Sequence, residues 1–370
     1  MRSANTRVAW SCVLAATFVV CSEPVFANAP GQTGAELYQS GCAACHGLDG
    51  AGTARSTVGF ETPLPDFTDC RFTTSEADVD WGAVVHLGGP ARGFDRIMPA
   101  FGEALSREQI QSVIDHVRGF CSNPAWPHGN LNLPRPFATK KAFPENEVLA
   151  SVAVPARARD SVETRIVYAK RLGARSEIEL TLPFVVRHGL GRWNRGLGDV
   201  SGGFKHVLVH SRQVGSIVAA GADIVFPTGK ETQGLGRRLA VFEPFATFGQ
   251  MLSADAFIHV QGGLEIPLNI ETADDELYWR MAVGKTFIDG QWGRAWSPIV
   301  ELLGNRDLAP QEPVQWDVLP QLQVTLSRRQ HVVLNAGVRI PMTLRQGRRP
   351  TVMLYALWDW FDGGLFDGWR

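Results

Sequence analysis

The sequence lacks the features of a nucleic-acid-binding protein, a disordered chain and a helical membrane protein. Its 36 Lys and Arg residues are balanced by 37 Asp and Glu residues, so we expect no nucleic-acid partner. Hydrophobic residues make up 45% of the 370 residues and charged residues 20%, which excludes disorder. After residue 27, no run approaches the ~20 apolar residues that a membrane helix needs. No nucleophile–base–acid set and no phosphate-binding loop stands out.

The first 27 residues have the pattern of a secretory signal peptide. Arg2 and Arg7 precede an apolar run over residues 8–21 that is too short to span a bilayer. Ala27 then closes a stretch of the kind that signal peptidases cleave. An interfacial helix and a lipid anchor at Cys21 are the alternatives. We therefore expect the chain to be exported.

The cysteines are few, and their positions separate them by role. In an oxidising compartment we expect the last two to form a disulfide, with two free buried thiols as the alternative. The six cysteines form three pairs: Cys12 and Cys21 in the signal peptide, Cys42 and Cys45 in a C-x-x-C-H motif, and Cys70 and Cys121.

The motif at residues 42–46, Cys-Ala-Ala-Cys-His, is the attachment signal for a c-type haem. The two thiols would add to the haem vinyl groups, which places the adjacent imidazole under the iron. A zinc half-site would need a second ligand pair at matching spacing, and a thioredoxin-like pair would lie in a βαβ unit. Neither is present in the sequence pattern. The motif occurs once, so we expect one covalently attached haem c.

The residues after this motif also fit a haem protein. Met98 precedes Pro99 on a loop, which is a common way to present a thioether to iron. Ser106 and Gln109 then form a capping box, and the helix that they begin has an apolar stripe. The stretch 33–122 resembles a class I c-type cytochrome.

By this resemblance, His46 is the proximal iron ligand and Met98 the distal one. Met98 as a core residue, and His86 as a rival sixth ligand, are the alternatives. A His/Met pair closes both axial positions and raises the reduction potential, which suits electron transfer. We therefore expect no dedicated catalytic activity.

Prolines and a Gly-Asn turn interrupt the chain over residues 123–145. This composition predicts a semi-extended linker. Leu131, Leu133 and Phe137 indicate that the linker docks on another part of the protein.

From residue 146 onward, apolar and polar residues alternate with a period of two, which is typical of β-strands. About twelve ~10-residue strands after a signal peptide predict an outer-membrane β-barrel. A soluble β-sandwich is the alternative, although many of these strands exceed the ~5–6 residues of a sandwich strand. The predicted strands are 146–154, 161–171, 176–187, 203–212, 214–227, 239–251, 255–267, 277–288, 292–304, 314–327, 330–341 and 351–361.

The barrel interpretation also assigns side chains to its two faces. His206 and His210 should share one face and line the lumen, because they are four residues apart. The charged residues expected to point inward are Glu177, Glu179, Glu265, Arg280 and Arg339. The tryptophans expected in aromatic girdles are Trp279, Trp292, Trp296, Trp316, Trp358 and Trp360.

Three motifs in this half are similar to those of outer-membrane barrels grouped with phenol-degradation pathways. They are Gly-Leu-Gly-Asp-Val-Ser at 196–201, Ile-Val-Phe-Pro-Thr-Gly at 224–229 and Phe-Glu-Pro-Phe at 242–245. The similarity spans about 160–361 and implies a transporter-like fold without naming a solute. Such barrels usually end on an aromatic residue, whereas this chain continues past Phe361 to Arg370.

The sequence thus predicts a multidomain protein: a small all-α cytochrome c domain followed by an all-β antiparallel outer-membrane barrel. The expected segments are a signal peptide (1–27), the cytochrome c domain (28–122), the linker (123–145) and the barrel (146–370). We expect electron transfer at the periplasmic face of the outer membrane, with a periplasmic redox partner and outer-membrane lipid as the partners. The alternatives are a solute channel whose cytochrome domain is a plug, gate or redox sensor, and a barrel that is only an anchor.

Overall fold

The computed structural model describes residues 31–156, 161–189, 191–268, 273–290, 292–343 and 348–360. The expected signal peptide, with Cys12 and Cys21, and the tail after Trp360 lie outside these residues. The chain divides into two compact units, Met1–Gln32 and Thr33–Arg370. The second unit contains every helix and strand described below.

A helical region, residues 33–122, comes first in this unit. Thr33 and Glu36 form a capping box at the start of its first helix, and Ser106 and Gln109 form the predicted one at the start of its last. Its α-helices are α1 (Gly34–Gly41), α2 (Ala43–His46), α3 (Arg55–Val58), α4 (Cys70–Thr73), α5 (Asp78–Leu87) and α6 (Arg107–Arg118).

The core of the helical region forms where α1 crosses α6. Leu37 and Tyr38 of α1 pack with Val113 and Val117 of α6 in one buried cluster. The crossing is close at Gly34, where a Cβ atom would lie 2.0 Å from the backbone oxygen of Ser112. The predicted apolar stripe of α6 is confirmed, because Ile110, Val113, Ile114 and Val117 are all buried.

A closed antiparallel barrel of twelve strands follows. Each wall strand pairs with its neighbours in sequence, β9 pairs with β11, and β1 closes the barrel by pairing with β14. The two short strands outside this count are β4, which pairs with β3, and β10, which pairs with β11. The strands are β1 (Glu147–Pro155), β2 (Ser161–Leu172), β3 (Ser176–Gly189), β4 (Arg192–Leu197), β5 (Ser201–Ser211), β6 (Ser216–Val225), β7 (Val241–Met251), β8 (Ala256–Pro267), β9 (Glu276–Lys285), β10 (Phe287–Ile288), β11 (Ala295–Asp307), β12 (Gln315–Thr325), β13 (Val332–Pro341) and β14 (Thr351–Asp359).

The barrel exposes apolar side chains on its outer face and buries polar ones inside. On β3, for example, Ile178, Leu180, Leu182 and Phe184 are exposed, whereas Glu177 is buried. This inversion of the usual soluble pattern favours the barrel over the sandwich. Among the residues described, no helix has the length and hydrophobicity to cross a membrane. Buried polar residues of the wall include Lys205, His259, Gln261, Glu301, Asp317, Gln321 and Asn335.

The two ends of the barrel differ. We call the end at turns 173–175, 212–215, 252–255, 286–294 and 326–331 the near end, because the helical region packs there, and the opposite end the far end. Two short strands lie at these ends. The sequence analysis missed β4 at the far end, whereas it placed the residues of β10 at the near end within the predicted strand 277–288. Of the predicted girdle residues, Trp279 and Trp316 lie on far-end halves of their strands, and Trp296 and Trp358 on near-end halves.

Two side-chain placements predicted from the alternation are wrong. A β-bulge between Val207 and Val209 shifts the pattern within β5, so His206 and His210 face opposite sides of the wall. His206 lies outside and is hydrogen-bonded to the Ser176 hydroxyl (2.8 Å). Trp292 is not a girdle residue, because it lies in the 286–294 turn and packs on the helical region.

The linker enters the barrel. Residues 131–147 are largely buried, and the predicted docking residues lie in barrel clusters. Leu131 packs with Val207 and Ile217, Leu133 packs with Phe257 and Ile299, and Phe137 packs with Tyr355 and Leu149.

Candidate functional site

The C-x-x-C-H motif lies at the junction of α1 and α2. Cys42 caps the start of α2, and His46 is its last residue. Both motif cysteines are free and half-buried. Tyr38 holds the end of the motif, since its hydroxyl donates hydrogen bonds to the backbone oxygens of Gly47 (2.8 Å) and His46 (3.3 Å).

The His46 imidazole has the environment of a metal ligand. Its ring stacks on Phe67 with 4.8 Å between ring centroids. Its Nδ1 atom is buried and makes no hydrogen bond within the described part of the chain. Burial lowers the pKa of His46, so the neutral imidazole, which is the form that binds iron, is favoured. Together with the two free thiols, these features fit a covalently attached haem.

The Met98 loop is anchored next to this motif. The Met98 backbone oxygen accepts a hydrogen bond from Gly89 N–H (3.0 Å), and Phe101 N–H donates to the Val85 oxygen at the end of α5 (2.9 Å). The Phe101 ring packs on Gly41, directly before the motif. Met98 itself is half-buried. The loop that carries the predicted distal ligand therefore contacts the end of α1, one residue before the motif that carries the predicted proximal ligand.

His86, the rival ligand, faces the barrel. Its ring lies 5.6 Å from the Trp292 ring of the 286–294 turn. It also contacts Gly102, where a Cβ atom would come within 2.5 Å of the imidazole. These contacts occupy the His86 ring at the interface and favour Met98 over His86 as the distal ligand.

Cys70 and Cys121 form a disulfide in the structure. Cys70 is the first residue of α4, and Cys121 follows the end of α6. The bond ties the middle of the helical region to its last helix. Within the described ranges, no three His, Cys, Asp or Glu side chains converge as a metal site, so the haem motif is the one metal-binding signal there.

An aromatic cluster connects His46 to the interface with the barrel. Phe67 packs against Trp81 with 5.4 Å between ring centroids. The guanidinium of Arg118 lies over the Trp81 ring at 4.4 Å, and Arg118 Nε donates to Asp78 Oδ1 (3.0 Å).

Asp78, the first residue of α5, joins the helical region, the linker and the barrel. It accepts hydrogen bonds from Asn130 Nδ2 of the linker (2.9 Å) and Arg212 Nη2 of the β5–β6 turn (3.1 Å), and His128 Nε2 lies 3.5 Å away. Burial opposes the charged form of Asp78, but Arg118, His128 and Arg212 outweigh it and lower its pKa. This carboxylate is therefore charged at neutral pH and holds three segments together.

Further contacts fasten the helical region to the near end. They come from two other turns of the barrel, so the attachment is spread around its mouth. They are the His331–Glu76 pair (2.7 Å), the Arg92 Nη1 bond to the Trp292 oxygen (2.8 Å) and the stacking of Arg329 over Phe94 (4.4 Å).

Inside the barrel, one buried carboxylate of β11 holds the tip of the linker. Glu301 accepts hydrogen bonds from the consecutive backbone N–H groups of Phe137 (2.8 Å), Ala138 (3.1 Å) and Thr139 (2.8 Å). It also accepts from the Thr139 hydroxyl (2.7 Å) and Gln321 Nε2 (2.7 Å). The side chain of Glu301 is fully buried, so the linker backbone replaces the water that would otherwise solvate this charge.

Lysines extend the same anchorage to other strands. Lys140 Nζ lies 3.1 Å from Glu179 of β3 and 2.7 Å from Asp223 of β6. A lysine of the wall also bonds to the linker: Lys205 Nζ of β5 donates to the backbone oxygen of Lys141 (2.9 Å). The linker is thus a plug that is bonded to several strands of the wall.

The sequence analysis missed the residues that join the parts. Asp78 and Lys140 have no motif around them, and Glu301 stands in an apolar run. A charged residue at an inward position of a predicted strand was the available signal for Glu301. Its partners are backbone N–H groups, which no residue pattern specifies.

Comparison with known proteins finds similarities for both parts of the chain. Residues 29–117 match the family described as cytochrome c oxidase, cbb3-type, subunit III. A search of curated proteins finds no match. Among solved structures, an outer-membrane channel from Pseudomonas putida F1 is 14% identical, with a TM-score of 0.44, covering 61% of this chain and 100% of the channel. The NanC porin is 10% identical, with a TM-score of 0.40, covering 58% of this chain and 99% of the porin.

The family match includes the C-x-x-C-H motif and all but the last residue of α6, and it stops before the linker. The barrel is defined by its own strand pairing, in which β1 closes on β14. Residues 29–117 are therefore a cytochrome c domain, and a closed twelve-strand β-barrel with an apolar outer face follows it.

Proposed function

We propose that this protein is a monohaem c-type cytochrome anchored in the outer membrane, which transfers electrons at the periplasmic face. The observation that carries the proposal is the attachment of the cytochrome domain to the near end of a barrel whose lumen the linker enters. The partner would be a periplasmic redox protein. The exported state rests on the signal-peptide pattern of residues 1–27.

The residues that would hold the cofactor are Cys42 and Cys45 for covalent attachment, and His46 and Met98 for the iron. When bound, haem supplies a one-electron iron couple. Tyr38 fixes the end of the motif, and Phe67 packs on one side of the His46 ring. If His46 and Met98 both bound the iron, the site would suit electron transfer and would leave no position for a substrate.

The orientation of the barrel supports the periplasmic face. The near end carries the short turns and the start of β1, and outer-membrane barrels keep short turns on the periplasmic side. Haem c is also attached outside the cytoplasm. The cytochrome domain at the near end would therefore meet periplasmic partners.

The filled lumen argues against electron conduction across the membrane by one haem. The apolar belt of such barrels is ~25 Å tall, and the plug, not the cytochrome domain, occupies the lumen. Glu301 and Lys205 of the wall bond to the plug, and Lys140 of the plug bonds to the wall, so the plug is held in the lumen.

An oxidant that cannot cross membranes tests this proposal. The full protein is placed in liposomes in one known orientation and reduced, and ferricyanide is then added to one side. We expect the reduced absorbance bands to disappear when ferricyanide is on the cytochrome side and to persist when it is on the far-end side. A permeant oxidant, which should act from either side, is the control. Oxidation by ferricyanide from the far end would overturn the proposal.

A second candidate is a solute channel gated by the linker. One observation favours it. The plug is held by polar contacts to charged and amide side chains that line the lumen, and these side chains would remain solvated in a water-filled pore if the plug left. Conductance of the intact protein in planar bilayers separates this channel from a closed anchor.

A further inference from the structure

The hairpin formed by β3 and β4 extends the barrel wall at the far end. The upper part of β3 pairs with β4, whereas its lower part pairs with β5. The break between β4 and β5 is fixed by Asp199, whose Oδ1 accepts from Gly229 N–H (2.9 Å). The opposite edge of β4 pairs with no other strand in the described part of the sheet.

The upper part of this hairpin, residues 180–198, is basic and contains no acidic residue. Residues 180–198 include three arginines and one histidine but no Asp or Glu. Arg187, Arg192 and Arg195 are exposed. Within the described ranges their side chains form no ion pair or hydrogen bond. Three cations are thus left for a ligand outside the protein.

The outer face of the hairpin changes from apolar to cationic toward the tip of the hairpin, away from the barrel wall. Phe184 and Leu197 are cross-strand partners and are 47% and 46% exposed. The next outward pair contains Arg195, opposite Val186, and the next is His188 with Trp193. Trp193 is 58% exposed, and its ring lies 5.1 Å from that of His188. An arginine and an indole directly above an apolar band match the headgroup level of a bilayer.

We propose that the outer face of the β3–β4 hairpin binds the phosphate groups of lipid A in the outer leaflet. This inference rests on the proposed function for the orientation of the barrel. Arg195 would pair with a phosphate, because a guanidinium donates two parallel hydrogen bonds to it. Trp193 would lie along the sugar headgroup, and Phe184 with Leu197 would contact the acyl chains.

Binding of lipid A with and without its phosphates tests the proposal. The full protein in mild detergent is titrated with each lipid, and Arg195→Glu is compared with Arg192→Glu. The second variant makes the same charge change on the opposite face of the same hairpin. We expect the intact protein to prefer the phosphorylated lipid. Arg195→Glu should weaken that binding about tenfold, and Arg192→Glu should have a much smaller effect.

Two results would overturn the proposal. One is equal binding of both lipids by the intact protein, and the other is an equal loss in both variants. Unchanged heat-modifiable gel migration shows that each variant is folded. If the open edge of β4 instead pairs with a second copy, the mass of the detergent complex doubles without lipid, which also contradicts it. A protein that binds the lipid but has no haem c spectrum would contradict the proposed function alone.

Discussion

Single side chains connect the haem motif to the barrel. His46 packs on Phe67, Phe67 packs on Trp81, and Arg118 lies between Trp81 and Asp78. Because Asp78 also binds Arg212 of the barrel, each neighbour in this series restrains the next. The position of His46, the predicted proximal ligand, therefore depends on side chains that lie outside the motif.

Replacing Met98 by Ala should remove the distal ligand and open the iron site. We expect the Met–iron charge-transfer band of the oxidised protein to disappear and added imidazole to bind. Met281→Ala, which alters an exposed methionine on the barrel wall, is the control and should leave the spectrum unchanged. An unchanged band in Met98→Ala would show that Met98 is not the ligand.

Asp78→Asn should destabilise the junction most near neutral pH. Since the folded pKa of Asp78 lies below the ordinary ~3.9, its contribution is complete above that value and is lost as the pH falls through the lowered pKa. We expect a loss of about 3 kcal/mol in unfolding free energy at pH 7, and a smaller difference at pH 3. His128, whose pKa is lowered by burial to about 4, gains charge over the same range.

Asp115→Asn is the matched control for Asp78, because Asp115 also contacts Arg212 but is 49% exposed. We expect it to cost less than about 1 kcal/mol in denaturant unfolding. Equal losses in the two variants, or a loss in Asp78→Asn that does not depend on pH, would refute the role of the buried carboxylate.

At the scale of elements, the alternation of apolar and polar residues predicted the strands well but did not predict the contacts between the linker and the barrel. Eleven wall strands overlap their predicted segments within a few residues, and β1 falls on the segment at 146–154. The pattern works because each wall strand has a lipid-facing side and an inner side. It failed where local geometry breaks the period, as at the bulge beside His206.

The linker was predicted to dock on another part of the protein, but its position inside the barrel was not predicted. Its apolar residues indicated burial, whereas the bonds that place it inside the barrel join backbone N–H groups to Glu301. Every residue except proline has such a group, so no residue type marks the segment. Long-range partners of this kind become visible only when the strands are assembled.

Gly34→Ala should weaken the helical core. The new Cβ atom would meet the Ser112 backbone oxygen at 2.0 Å, so α1 and α6 must move apart. We expect a loss of about 2 kcal/mol in unfolding free energy, measured by thermal unfolding followed at the haem absorbance. Gly31→Ala has nothing within 4 Å of its Cβ position and should change little. Equal behaviour of the two variants would contradict the close crossing.

Glu301→Ala should loosen the plug, because three backbone N–H groups would lose their shared acceptor. We expect low conductance for the intact protein in planar bilayers and a several-fold rise for this variant. Glu265→Ala removes the same charge from a residue paired with Arg237 (3.0 Å) and should leave conductance low. High conductance in the intact protein would support the channel, and unchanged conductance in Glu301→Ala would show that Glu301 does not hold the plug.

At the scale of the whole molecule, the barrel and the cytochrome domain form one assembly. Turns of β5–β6, β9–β11 and β12–β13 each contribute a contact to the cytochrome domain, and the linker is bonded to the wall inside the barrel. A flexible tether would let the domain move between distant partners, whereas this attachment favours partners that approach the near end.

The most direct test of the central claim is the location of the haem. The envelope of a Gram-negative host that expresses the protein is fractionated, and a reduced-minus-oxidised spectrum is recorded for each fraction. The account predicts a haem c signal in the outer-membrane fraction, carried by a band whose gel migration changes on heating. A haem c signal confined to the soluble periplasm would contradict it, because the second half would then not be a membrane-embedded barrel.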